Sequence, residues 1–145
     1  MANHVRQQLR EAVAAALTGL TTTGTRVFQS RAYPLQITDL PCLVVTTDGD
    51  SMEYLTVKKP AQLQRDTQVR IEAYATGTSN LDDTLDTICK EVEIAMDNLS
   101  TIAKSVGFVG TQLNIDVVSE KPVGKATLIY RMQLVTLSNA PDVAI

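Results

Sequence analysis

Thr67-Gln-Val-Arg-Ile-Glu-Ala-Tyr-Ala75, followed across Thr76-Gly-Thr-Ser79 by the run from Asn80 to Leu99, decides the fold. In the first segment Val69, Ile71, Ala73 and Ala75 point one way, and Gln68, Arg70, Glu72 and Tyr74 the other. This period-two alternation marks a half-buried strand. The period then changes. Leu81, Leu85, Ile88, Val92, Ala95 or Met96, and Leu99 recur every three or four residues, which is one face of an amphipathic helix. The link is short, so a strand over about 67–76 hands directly to a helix over about 80–99, and both need the same core. Asn80 is the expected N-cap, with Ser79 as competitor.

Upstream, residues 3–18 read as a helix capped by Asn3, with Val5, Leu9, Ala12 or Val13, Ala16 and Leu20 as its apolar stripe. Gly19 is placed to stop it in the left-handed conformation. Arg6, Gln7, Arg10 and Glu11 lie off the stripe and should be solvated. After the polar turn Thr21–Thr25, Arg26–Ser30 is a short strand. Pro34 and Pro41 forbid a helix or a central strand across 31–41. Cys42-Leu-Val-Val-Thr-Thr47 is apolar and β-branched on both sides, an interior strand. Asp48-Gly-Asp50 is a turn signal. From there to Arg65 the pattern weakens, and 48–65 reads as a long two-stranded excursion or a loop projecting from the sheet.

Downstream, Ser105–Gly110 reads as a loop with two glycines, Leu113–Val118 as a strand, Ser119–Gly124 as a turn and Ala126–Leu137 as a long strand. Leu128, Tyr130, Met132 and Leu134 share one face of that strand. Ile129, Val135 and Leu137 on the other imply partial cover there. The last two strands form a hairpin, and 138–145 is expected to be a mobile arm on a single domain of residues 1–137. The fold class is α+β: a mainly antiparallel sheet with two helices packed on one face, in the order α-β-β-(excursion)-β-α-β-β.

With 145 residues the chain suits one domain that needs no disulfide or metal to fold. The net charge of −3 argues against a protein that grips nucleic acid by neutralising phosphates. Cys42 and Cys89 sit in apolar segments and read as buried reduced thiols. No apolar run approaches the roughly 18 residues of a membrane span. Met1-Ala-Asn-His-Val-Arg6 is too polar for a secretory signal, so a cytoplasmic site of synthesis is expected.

Catalytic chemistry finds no residue set. The one histidine, His4, lies in the first turn of a terminal helix and reads as a surface residue. No His/Cys cluster has zinc spacing, no phosphate-cradling glycine motif occurs, and there is no aromatic platform for bases. Asp82, Asp83 and Asp86 crowd the start of a helix, where carboxylates offset the macrodipole. No cofactor, metal or enzymatic activity is therefore expected, and an uncharacterised small-molecule-binding or enzymatic domain is the weakest reading. An interaction protein remains. Its candidate interface residues are Met52, Tyr54, Leu55, Lys58, Lys59 and Arg65 in the excursion, a mix of apolar anchors and charge. Val143 and Ile145 at the C-terminus join them. The edges of a long antiparallel sheet can also be extended by a partner strand.

Several stretches together resemble the tail terminators of tailed phages, the minor tail protein U family. They are Leu9-Arg-Glu-Ala-Val-Ala-Ala-Ala-Leu17 leading to Thr23-Gly-Thr-Arg-Val-Phe28, then Arg31-Ala-Tyr-Pro34 and Thr38-Asp-Leu-Pro-Cys-Leu-Val-Val45. Gln68-Val-Arg-Ile-Glu-Ala-Tyr74, Asn80-Leu-Asp-Asp-Thr-Leu-Asp86 and the closing hairpin complete the pattern, which covers roughly residues 5–137. The resemblance implies a homo-hexameric ring in the virion, at the head-proximal end of the tail, assembled in the host cytoplasm. Such a ring caps the tail tube protein, stops tube growth and offers a docking face to the neck or connector protein. Genome DNA would pass through its lumen without specific binding, which suits a net acidic chain. Head–tail neck proteins (stopper, adaptor or tail-completion) share much of the pattern and are the alternative.

Overall fold

The computed structural model describes residues 3–29, 39–77, 80–116 and 122–145. The described elements are α1 (Val5–Leu17), β1 (Val27–Phe28), β2 (Cys42–Tyr54), β3 (Gln62–Thr76), α2 (Leu81–Asp97), β4 (Ser105–Asp116), β5 (Val123–Leu137) and β6 (Ala140–Ala144). The strands form one sheet in the order β1-β2-β3-β5-β4, with β6 pairing β5. All pairings are antiparallel except β1 with β2. Both helices pack on one face. The fold is therefore α+β, as the alternation and the change of period require.

The core is the overlap of the two periodicities. Val69, Ile71, Ala73 and Ala75 of β3 lie beside Ala126, Leu128, Tyr130, Met132 and Leu134 of β5, all buried. Leu81, Leu85, Ile88, Val92 and Met96 of α2 cover them. Burying each large apolar side chain contributes about 1.5–3 kcal/mol, far more than helix propensity supplies. Helix α1 buries Val5, Leu9, Val13, Ala14 and Leu17, so its stripe advances by four residues and passes beside Ala12 and Ala16, while Leu20, past the helix end, packs partly buried against the core. Gly19 follows its end at φ +96°, as the stop signal implies.

The caps differ from expectation. The N-cap of α1 is His4, not Asn3, and its Nδ1 accepts the Arg6 backbone N–H at 3.1 Å. The lone histidine thus satisfies a helix terminus. At α2 Asn80 holds the N-cap position, but its side chain makes no capping bond. Its carbonyl instead accepts from the backbone N–H and hydroxyl of Thr84.

Three strand boundaries also move. Asp48-Gly-Asp50 is not a chain reversal. It is a bulge within β2, where the register to β3 slips between Thr47 and Asp50 and Gly49 takes φ +100°. A positive φ at glycine serves a bulge as readily as a turn. Beyond it Ser51–Tyr54 pairs with Leu63–Asp66, so the excursion is two-stranded and only its tip, residues 55–61, leaves the ladder. Gly107 and Gly110 do not mark a loop either. They lie in β4, a strand of 12 residues with a second bulge at Val109. Val123 and Gly124 open β5 instead of closing a turn. Leu81 and Leu85 of α2 sit directly over Gly124, and a Cβ there would meet Leu85 Cδ1 at 2.7 Å.

Residues 140–144, expected as an arm, are strand β6. Its end is tied to β5 by the Ile145 N–H to the Val135 carbonyl at 2.8 Å. The strand expected at 26–30 is described only as Val27–Phe28. Ser30, the irregular stretch 31–38, the competing cap Ser79, the strand end at 117–118 and the turn residues 119–121 lie outside the described residues.

Candidate functional site

The two helices cover the middle of the sheet and leave both flanks open. On the first flank β2 and β3 run past α1 into a hairpin. Their register places Met52 opposite Arg65 and Tyr54 opposite Leu63, on the helix-bearing face. Met52 is 51% exposed, Tyr54 67% and Val57 96%, and Leu55, Lys58 and Lys59 are exposed beside them. The hairpin is braced at its base. The Leu55 N–H donates to the Gln62 carbonyl at 2.8 Å, while Ala61 and Ser138 exchange hydrogen bonds of 2.8 and 2.9 Å.

Arg65 stands apart from its expected neighbours. It is 5% exposed and turned inward. Its Nη1 donates to Asp50 Oδ2 at 2.7 Å and its Nε to Thr136 Oγ1 at 2.9 Å. Asp50 also accepts from Arg6 Nη1 at 2.8 Å, which ties α1 to the root of the hairpin. Burial acts to raise the Asp50 pKa, but the bonds from Arg65 and Arg6 outweigh it and hold the carboxyl below its ordinary value. Arg65 therefore fixes the hairpin from within, and Arg6 is not the solvated residue expected.

The second flank is β4, whose second half was expected as a strand from Leu113 and whose first half, Ser105–Gly110, was expected as a loop. Val106, Phe108, Leu113 and Ile115 project on the helix side, yet α2 does not reach far enough to bury them. Val109 stands 58% exposed on the bulge. The available signal was alternation at 106 and 108 that resumes at 113 and 115, with a shift between them. An edge strand with so many exposed apolar side chains and a single charge, Asp116 at its end, invites another chain. Between β4 and the last turns of α2 lies a groove of about 260 Å³. Met96, Val106, Phe108 and Tyr130 line it, with Glu93 and Asp97 at its rim. Phe108 stacks on Tyr130 with ring centroids 4.8 Å apart. Burial, then the nearby Glu93 carboxylate, and further Cys89 and Asp97, push the Tyr130 hydroxyl up to about 12.

Val143 on β6 and Ile145 just past its end are about half exposed. This strand continues the edge of β5 beside the start of β4: Val135 bonds Ile145 and Gln133 bonds Lys104. The structure thus joins the C-terminus to the second flank, while the hairpin tip belongs to the first.

The helix-free face carries three ion pairs among the described residues. Arg70 pairs with Asp48 at 3.1 Å, Lys125 with Glu72 at 3.8 Å, and Arg131 with Asp66. Among the described residues no group of three or more His, Cys, Asp or Glu side chains converges to hold a metal ion. No described helix is long and apolar enough to cross a membrane.

The fold recurs in a solved assembly. A chain from the virion of a native gene transfer agent particle superposes on this one with a TM-score of 0.51 and 19% sequence identity, over 92% of each chain. At that identity the likeness is one of fold. No protein-family model matches the sequence, and no curated protein does.

Proposed function

We propose that this chain is a structural, non-enzymatic protein of a phage-like virion and that it acts as a tail terminator. In this reading six copies form a ring on the head-proximal end of the tail tube. The ring ends tube growth and offers the neck or connector protein a docking face. The observation that carries the proposal is the pair of open flanks of one sheet, a projecting hairpin on the first and an edge strand with exposed apolar side chains on the second. Unlike surfaces of one subunit make head-to-tail contacts, and these close into rings when the rotation permits. The fold shared with a chain of a gene transfer agent virion supports the same reading. A net charge of −3 and a helix-free face whose arginines are paired suit a ring through which DNA slides without holding.

The test is tube growth. Purified protein added to elongating tail tubes should arrest them at one end, so that mean length stops rising once the protein saturates those ends. Tubes that lengthen unchanged at saturating protein would refute the terminator role.

A further inference from the structure

The hairpin tip and the α2–β4 groove are complementary in charge and in apolar character. The tip projects beyond the β2–β3 ladder and carries Tyr54, Leu55 and Val57 beside Lys58 and Lys59, all exposed. The groove is concave, with an apolar floor that includes the Phe108–Tyr130 stack, and its rim carries the exposed Glu93 and Asp97. Among the described residues none of these four charges makes an ion pair, although Asp50, Asp66, Glu72, Arg65, Arg70 and Arg131 all do. Lys58 and Lys59 at the tip and Glu93 and Asp97 at the groove are thus of opposite sign and, among those residues, without a salt-bridge partner, as several other surface charges are. The tip continues from the ends of β2 and β3, and β5 stands between that hairpin and β4 in the sheet.

We infer that the tip at residues 54–59 of one copy docks in the α2–β4 groove of the next copy, with Lys58 and Lys59 facing Glu93 and Asp97. The contact is heterologous and repeats around a closed ring. The occupant is a second copy because the missing charges and the missing apolar cover are supplied by the same chain. Apolar anchors supply most of the affinity, and the charge pairs set register and exclude the reversed arrangement. This inference rests on the ring proposed above and specifies which surfaces close it.

Charge reversal tests it on the full chain. Lys58→Glu with Lys59→Glu, and separately Glu93→Lys with Asp97→Lys, change only exposed side chains. Each variant should remain folded by circular dichroism. Each should also need a roughly hundredfold higher concentration to assemble in native mass spectrometry, since like charges would now meet at every contact. Mixing the two variants in equal amounts should restore assembly. Each contact then joins opposite charges, and only even-membered rings that alternate the two chains can close. Wild-type rings that tolerate both reversals would overturn the docking and leave the ring itself standing. Reversals at the tip that spare the ring but abolish tube capping would also overturn it and assign the tip to the tube. A wild-type chain that stays monomeric, alone and on tubes, would remove both the docking and the ring.

Discussion

Arg65 Nη1 lies 2.7 Å from Asp50 Oδ2, and the two side chains are 6% and 4% exposed. One sits in β3 and the other just past the β2 bulge, so the pair locks the root of the hairpin to the body of the sheet. Removing one member of a buried pair leaves an uncompensated charge, which is far more damaging than losing a surface pair. Asp50→Ala should therefore cost about 3–5 kcal/mol in urea denaturation. Arg6→Ala removes the partner that is 39% exposed and should cost less than about 1 kcal/mol.

The same carboxylate makes stability depend on pH. Its pKa is held below the ordinary value despite burial, because Arg65 and Arg6 stabilise the ionised form. The unfolded chain then binds the proton more readily than the folded one. The stabilisation is present above the unfolded value of about 3.9 and is lost as pH falls through the lower folded value. The gap in unfolding free energy between the wild type and Asp50→Asn should be constant from neutral pH to about 5 and shrink below about 4. A gap unchanged at low pH would contradict the pairing.

The strand-to-helix core was legible because two periodicities meet there. Val69 to Ala75 alternate and Leu81 to Met96 repeat every three to four residues, and no other arrangement buries both sets. Several positions with glycine were misread. Gly49 signals a positive φ, which serves a bulge inside a continuous strand as well as a reversal. Gly107 and Gly110 lower strand propensity, yet β4 forms because β5 supplies a full ladder of partners. Tertiary pairing overrode local preference at both places.

The candidate site was half legible for the same reason. Met52, Tyr54, Leu55, Lys58 and Lys59 were recognisable as a mixed apolar and charged stretch, and the structure exposes them. Arg65 was not separated from them, although it continues the inward alternation of Thr67, Val69 and Ile71 along an unbroken β3–β5 register; the slip in β2 that brings Asp50 to it is what the sequence does not announce. The groove could not be read at all, since it joins α2 to a strand taken for a loop.

Gly124 should be a position where added volume is resisted. A Cβ there would lie 2.7 Å from Leu85 Cδ1 and 3.1 Å from Leu81 Cγ, and both leucines are buried. Gly124→Ala should cost about 1–3 kcal/mol by overpacking. Leu85→Ala alone should cost about 2–5 kcal/mol by leaving a cavity. The double variant should cost clearly less than the sum, because the new methyl enters the vacated space. Additive costs in urea denaturation would show that α2 does not press on this strand.

The two thiols should be protected by the fold. Cys42 and Cys89 are buried, and burial, aided by nearby carboxylates, pushes each up to about 11. At pH 8 the reactive thiolate is then scarce and screened from solvent. A water-soluble thiol reagent should label the native protein at least about a hundredfold more slowly than the chain in urea. Prompt labelling of either cysteine under native conditions would contradict its place in the core.

The ring is tested most directly by native mass spectrometry joined to negative-stain imaging, with the protein alone and mixed with tail tubes. The expected result is a six-copy species, seen as rings or as caps on one end of each tube. A chain that stays monomeric in both conditions and leaves tube ends bare would contradict the proposal.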